Sequence, residues 1–254
     1  LNSASKISRE QFLLLRTIYE KNQTSAFNSA RFGNLQEYQT AKQLLQASTD
    51  FQSYLTSIRT GTITATGAFH MIPEQQKEVL ELTSNSANML RRKDKTPINT
   101  TFITLLQAIS RCDPTRTSRW RFSKLQFIAN FGRVRSGGRR LFKAVTDGQL
   151  QALANDRIIA TVECKLNRRR VGTASTLRTE MQEAAQVVAW IKQFPGSNRR
   201  ALVAQDDEEI YVTFAEYNNG WLDYIKRSHV QANGLMTMVQ YGPWDLKSAV
   251  LPLT

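Results

Sequence analysis

The stretch from Arg139 to Lys165, RRLFKAVTDGQLQALANDRIIATVECK, most limits what this chain can fold into. Apolar and β-branched residues run up to Asn155-Asp156 and away from it, the pattern of strands joined by a tight turn. Asp147 stands on one strand, and Glu163 and Lys165 on the next. Such charges beside an apolar strand are costly to bury unless they find partners or do work. Register decides whether they meet, because a slip of one residue moves a side chain to the other face. A two-residue turn at Asn155-Asp156 would set Asp147 opposite Cys164. A three-residue loop, Asn155 to Arg157, would pair Ala154 with Ile158, Asp147 with Lys165 and Gln149 with Glu163. The three-residue loop is the expectation, with Asp156 or a neighbour left-handed and Val162 and Cys164 turned into the core.

The chain has 254 residues, enough for a full core in one large domain or in one domain with a helical extension. No apolar run is long enough to span a bilayer. Leu1-Asn2-Ser3 brings neither an initiator Met nor an apolar leader block, the pattern of a trimmed or mature form. Cys112 and Cys164 provide neither a disulfide framework nor zinc spacing, which favours an intracellular setting, nuclear or cytoplasmic. Secretion stays open, since a native start can lie upstream. Only two histidines occur, His70 and His229, too few for a His-rich zinc site and little for a Ser-His-Asp arrangement.

The formal net charge is +13, and it is concentrated. Residues 111 to 170 hold 15 Lys and Arg against 4 Asp and Glu. Such a surplus suits a polyanionic partner, because neutralising phosphates releases counterions and steers association. A solvated basic face is the plainer alternative. The glycine-rich basic run from Gly132 to Arg140 lacks the Gly-Lys-Ser/Thr ending of a phosphate-cradling loop, and no dinucleotide-binding Gly-x-Gly-x-x-Gly follows a strand.

Periodicity predicts an amphipathic helix over 6–21, with Phe12, Leu13, Leu15, Ile18 and Tyr19 as its stripe. Further helices are expected at 34–47, at 49–59 behind Ser48, from Pro73 onward, and at 100–111, the last after the basic connection Arg91 to Lys95. Residues 1–112 thus read as a helical lobe and 113–254 as the core, one continuous domain being the alternative. Within the core, Ser118 to Phe131 reads as a helix burying Trp120, Phe122, Leu125, Phe127 and Ile128. Another helix is expected over 178–193. Strands follow at 200–205 and 210–214 around the acidic turn 206–209, then a helix at 217–227, a strand at 235–240 and a turn at Tyr241 to Trp244. The order is mixed α/β (α+β), and it can put the Asp/Glu-x-Lys hairpin centrally between flanking helices.

Asp147 on one strand, Glu163-Cys164-Lys165 on the next and a helix bearing Gln182 and Gln186 resemble the PD-(D/E)XK nuclease superfamily. Thr146 stands where the family name has proline. The wider runs Thr-Asp-Gly-Gln-Leu, Met-Gln-Glu-Ala-Ala-Gln-Val-Val-Ala-Trp-Ile and Tyr-Gly-Pro-Trp-Asp are similar to fungal members, and the likeness covers roughly residues 117 to 245. It implies a restriction-endonuclease-like core, a central mixed sheet flanked by helices. It also implies a nuclease hydrolysing DNA, with RNA the second choice and endonuclease action the expected mode.

Asp147 and Glu163 are hard oxygen ligands suited to Mg²⁺ or Mn²⁺. Lys165 can orient the attacking water or offset charge on the transition state. The resemblance adds the backbone carbonyl of Cys164 as a further metal ligand and Gln182 as a member of the catalytic group. Gln186, Arg133, Arg135, Arg139, Arg140, Arg168, Arg169 and Arg170 are the expected nucleic-acid contacts, with Gln182, or Gln186 one turn later, alternatively positioning the lysine or the water. Glu180 and Glu183 read as ordinary exposed helix acids, with a place facing or supporting the metal as the alternative. One departure matters. Many members carry another acid on the helix before the first core strand, yet residues 114–146 contain no Asp or Glu. An acid such as Glu78 of the helical lobe would have to replace it, or the site works with one metal. A catalytically inactive nucleic-acid-binding or interaction module on the same fold is the alternative function. A plain ion pair of Lys165 with Asp147 is the alternative for the charged group.

Overall fold

The computed structural model describes residues 3–84, 95–133, 139–196, 199–227 and 234–248. In chain order the helices and strands are α1 (Arg9–Leu13), β1 (Thr17–Asn22), α2 (Leu35–Ala47), α3 (Thr49–Thr60), α4 (Ile72–Ser84) and α5 (Thr96–Arg111). Then come β2 (Ser118–Arg121), β3 (Gln126–Arg133), β4 (Arg139–Val145), β5 (Gly148–Ala152), β6 (Ile158–Lys165) and α6 (Ala174–Gln193). The chain continues through β7 (Arg199–Asp206), β8 (Glu209–Tyr217), α7 (Asn219–Arg227) and β9 (Met236–Asp245).

Seven strands form one mixed sheet in the order β1-β9-β8-β7-β6-β5-β2, and β3 and β4 make a separate hairpin. β6 runs parallel to β7, and β1 parallel to β9, while the other neighbours are antiparallel. Alternation along β6 sends Val162 and Cys164 to one face, where they pack with Val79 of α4 and with Ile98, Phe102 and Ile103 of α5. The opposite face packs on α6, whose Ala184, Ala185, Val188 and Ile191 join Leu202 and Ala204 of β7 and Phe127 and Phe142 of the β3–β4 hairpin. Helix α6 is covered by the sheet on one side and this hairpin on another, so its second half is buried nearly all round. The result is a large mixed sheet flanked by helices.

Four sequence expectations need correction. Residues 6–21 are not one helix. Leu13 and Leu14 stay exposed, Arg16 takes a left-handed φ of 48°, and the chain then pairs with β9 as an edge strand. The parallel ladder offers Thr17 and Ile18 a pleated environment that suits β-branched residues better than a helix does. Because β1 belongs to the central sheet, residues 1–112 are not an all-helical lobe.

Residues 118–131 are two strands. Phe127 and Ala129 are buried while Gln126, Ile128 and Asn130 are exposed, a period of two. The aromatic spacing read as helical arises because β2 and β3 face different partners. Trp120 packs beside the α5 cluster, and Phe127 stacks on Trp190 of α6 with centroids 5.9 Å apart.

The β5–β6 register matches neither loop considered. Gly148 pairs with Val162 and Gln149 with Thr161, and a bulge between Leu150 and Gln151 brings Gln151 opposite Ile158. Five residues, 153–157, therefore connect the strands. Asp156 does take the left-handed conformation, with φ 51°. Finally, Tyr241 to Trp244 continue β9 instead of turning, although Tyr241 and Trp244 are buried against Phe27 and Phe32 as packing aromatics.

Candidate active site

The observed register places Asp147 beside Glu163, one pair beyond Gly148 and Val162. The backbone amide of Asp147 donates to Val162 O at 2.9 Å. Thr146, in the place of the proline, is fully buried and ties this turn to Leu125. Its amide donates to Leu125 O at 3.0 Å, and its Oγ1 accepts from the Leu125 amide at 3.2 Å. Gly148 permits close approach of α5, since a Cβ there would stand 2.6 Å from Ile103 Cδ1.

Glu163 points to the α6 face and is wholly buried. Its carboxylate is held on both oxygens. Oε1 accepts from Lys165 Nζ at 2.7 Å and from Gln182 Nε2 at 2.9 Å. Oε2 accepts from Gln186 Nε2 at 2.6 Å, and that same nitrogen donates to Val145 O at 2.8 Å. Gln182 Oε1 in turn accepts from Lys165 Nζ at 2.8 Å. Lys165, Glu163 and Gln182 therefore close a triangle. The i, i+4 spacing of Gln182 and Gln186 on one helix face delivers both amides to one carboxylate. Gln186 is buried on Glu163, which corrects its expected contact with nucleic acid and leaves it a positioning role, though toward the carboxylate and not the lysine.

Asp147 is turned to the other side of the strand end. Its Oδ2 accepts from the Cys164 amide at 3.0 Å and from Lys95 Nζ at 2.6 Å. Lys95 immediately precedes α5, and its ammonium also lies 3.6 Å from Glu163 Oε1 and 3.5 Å from Cys164 O. The three oxygens named as metal ligands thus surround one cation. Burial opposes the charge on Lys95, but Glu163 and Asp147 outweigh it and hold the ammonium above the ordinary lysine range. Asn99, one turn further along α5, donates from Nδ2 to Asp147 O at 3.1 Å. The Cys164 thiol is pushed well up, first by burial and then by Asp147 and Glu163, so it stays neutral and serves as a core group.

Lys95 and Asn99 were not among the expected site residues. Lys95 lies 52 positions before Asp147 in the sequence, and nothing in the local pattern of the Arg91 to Lys95 run separates it from its neighbours. An acid lent by the helical segment is one of the alternatives; among the described residues the segment brings a lysine to Asp147. Glu78 is exposed on α4.

The arginines divide sharply. Arg169 is almost wholly buried, paired with Glu183 through its NH2 and with Asp206 through Nε at 2.8 Å, and its guanidinium lies 4.3 Å from the Tyr211 ring centre. Burial pulls against this charge, yet the two acids hold it well above the usual arginine value. Arg168 contacts the acidic turn through Asp207, at 3.2 Å, and through Glu208. Arg169 is therefore taken up by internal ion pairs, a correction to its expected role as a nucleic-acid contact, whereas Arg168 makes ion pairs with a side chain that stays 40 % exposed. Parallel pairing of β6 with β7 sets Lys165 beside Asp206, which brings the acidic turn to the arginine cluster. Arg170 keeps an exposed side chain. The backbones of Arg133, Arg139 and Arg140 lie in β3 and β4, while their side chains and all of Arg135 fall outside the described residues, as do His229 and residues 91–94.

Glu180 and Glu183, expected to be exposed, are buried. Glu180 pairs with Lys21 of β1 at 2.6 Å. Glu183 shares Arg169 with Asp206, and its carboxyl is pushed up to about 7, by burial first and by the nearby acids, against the pull of Arg169.

Among the described residues no group of three His, Cys, Asp or Glu side chains is placed to hold a metal. The oxygen set here is two carboxylates and one carbonyl, the hard donors that Mg²⁺ and Mn²⁺ take together with water and phosphate. Their convergence on a single ammonium shows that these oxygens can accommodate positive charge at one point. No helix of the described residues is long and apolar enough to cross a membrane. No family model matches the chain, and no curated protein matches it.

Proposed function

We propose that the chain is a divalent-metal-dependent nuclease with a restriction-endonuclease-like core of the PD-(D/E)XK type, cleaving phosphodiester bonds of DNA, with RNA the second substrate. One observation carries this reading. Asp147 Oδ2, Glu163 Oε1 and Cys164 O surround a single cation, and beside them Lys165 is clamped between Glu163 and Gln182.

Asp147, Glu163 and the Cys164 carbonyl would hold Mg²⁺ or Mn²⁺. A bound ion there would polarise a phosphate and lower the pKa of a coordinated water toward neutrality. The protein's own groups do the rest. Lys165, with its ammonium only partly exposed, presents positive charge where a phosphate oxygen gains negative charge in the transition state. Gln182 fixes the lysine head through its carbonyl and the carboxylate through its amide. Gln186 keeps Glu163 from rotating. The Cys164 amide fixes Asp147. The basic surplus of residues 111 to 170 would draw the polyanion to this end of the sheet.

A plasmid-nicking assay with Mg²⁺, Mn²⁺ or EDTA tests the proposal. Cleavage with either metal, its loss in EDTA, and its loss in Asp147→Ala, Glu163→Gln and Lys165→Ala chains of native circular dichroism are expected. Full cleavage by any of the three variants would discard the assignment. A second reading is a non-catalytic nucleic-acid-binding module on this fold. It is favoured by the ammonium among the carboxylates and by the absence of an acid from residues 114–146. Salt-sensitive binding without metal-dependent cleavage would establish it instead.

A further inference from the structure

We propose that Lys95 is a tethered competitor for the metal: its ammonium and a divalent ion claim the same oxygens, so that loading the site requires Lys95 to withdraw. This inference rests on the metal-site reading above and adds to it a residue that the Asp/Glu-x-Lys pattern does not contain.

The geometry is specific. Lys95 Nζ lies 2.6 Å from Asp147 Oδ2, 3.6 Å from Glu163 Oε1 and 3.5 Å from Cys164 O. A metal ion bound by those three oxygens would have to occupy the volume now filled by the ammonium. Charge leads to the same conclusion. Asp147 and Glu163 are both buried, and Lys165 already neutralises Glu163 at 2.7 Å, which leaves Lys95 as the counter-ion of Asp147. The four groups sum to neutrality, so a divalent ion arriving beside Lys95 would leave two uncompensated positive charges at a poorly solvated point. Departure of the lysine halves that excess.

Lys95 is placed to leave. It stands at the N-terminal edge of α5, before the first helical residue, and its side chain is 36 % exposed. Rotation about its flexible stem would carry the ammonium to water without unfolding α5. Lys165 is more enclosed, with its side chain 24 % exposed and both hydrogen bonds short, 2.7 Å to Glu163 and 2.8 Å to Gln182.

The test is Mn²⁺ binding, followed by the electron paramagnetic resonance of the free ion, in the wild-type chain, in Lys95→Ala, and in Lys95→Ala combined with Asp147→Asn. Lys95→Ala is expected to bind Mn²⁺ about tenfold more tightly or better, a gain of at least ~1.4 kcal/mol. The added Asp147→Asn should remove that gain. Equal affinity in wild type and Lys95→Ala, with binding still lost on Asp147→Asn, would overturn the competition and leave the metal site standing. Binding that ignores Asp147→Asn, or that is absent from both chains, would overturn the metal site and the competition together.

Thermal unfolding supplies a second readout. In EDTA, Lys95→Ala should melt below wild type because Asp147 has lost its counter-ion, and Mn²⁺ should raise its Tm more than it raises that of wild type. Equal shifts would count against the competition. Lys95→Gln, which keeps the reach without the charge, gives the same comparison if the alanine chain does not fold.

Discussion

Ile103 Cδ1 lies where a side chain on Gly148 would begin: a Cβ at that glycine would stand 2.6 Å from it and 2.8 Å from Arg121 O. The glycine next to Asp147 is therefore what lets α5 come close enough to bring Lys95 and Asn99 against the aspartate.

Gly148→Ala should test this directly. The added methyl meets both a side chain and a backbone oxygen, and overpacking of this kind costs about 1–3 kcal/mol. A lower midpoint in urea is expected, with weakened metal-dependent cleavage because α5 is displaced from Asp147. Wild-type stability in the variant would show that the contact is loose.

Gln182 is expected to act through Lys165 and Glu163, which it joins. Gln182→Leu keeps the volume and removes both bonds, leaving the lysine head unsteadied. Loss of partners that orient a metal ligand typically costs about 10–100-fold in activity or affinity. A fall in kcat of that order is expected, with nucleic-acid KM little changed and far-ultraviolet circular dichroism native. Recovery in Gln182→Glu at low pH, where a protonated carboxyl can again donate to Glu163, would separate positioning from mere packing. Unchanged turnover in Gln182→Leu would remove Gln182 from the mechanism.

Glu183 predicts a pH dependence of stability. Its carboxyl is pushed up to about 7 in the folded chain, against an ordinary value of 4.5, because burial and neighbouring acids outweigh the single Arg169. Between these two values the folded state binds more proton than the unfolded state, so stability falls as pH rises through that window. The stabilising effect of the retained proton is complete below 4.5 and gone above 7. The loss should be on the order of 1–3 kcal/mol. Denaturant unfolding at pH 5 and pH 7 measures it, and Glu183→Gln should flatten the difference. A slope unaltered by that variant would assign the dependence to other groups.

Arg169 and Arg170 should separate structure from binding. Arg169→Ala strands Glu183 and Asp206 without their cation, and breaking a buried pair costs about 3–5 kcal/mol. Arg170→Ala removes an exposed charge and should leave the unfolding midpoint within ~0.5 kcal/mol of wild type. If Arg170 meets phosphate, its loss should weaken nucleic-acid binding and reduce the steepness of the salt dependence. Equal unfolding midpoints for the two variants would contradict the buried role of Arg169.

Local pattern was a sound guide where one element satisfies itself. Helices α2, α3, α5 and α6 follow from their apolar spacing, and Ser48 opens α3 by accepting from the Phe51 amide at 3.2 Å. The chain order of Asp147, Glu163, Lys165 and Gln182 was also open to view, since strand and helix periods alone put Glu163 and Lys165 on one face and the glutamines on another. Where a segment's partner lies far away in the chain, the same reasoning failed. Residues 17–21 and most of 118–131 are strands because β9, β5 and β4 lie beside them, and their own spacing does not encode those neighbours.

What the sequence by itself determined is the spacing of the candidate residues: Glu163 and Lys165 on one face of a strand by side-chain alternation, and Gln182 and Gln186 on one face of a helix by its repeat. Only the tertiary structure decided what each charge meets. It brought Lys95 to Asp147, turned Gln186 inward onto Glu163, buried Arg169 between Glu183 of α6 and Asp206 of β7, and set Arg168 on Asp207 and Glu208 of the turn that follows. The reason is physical. Propensity and periodicity act over a few residues, whereas an ion pair between distant residues depends on sheet order and register, and these are settled by burial of the whole core.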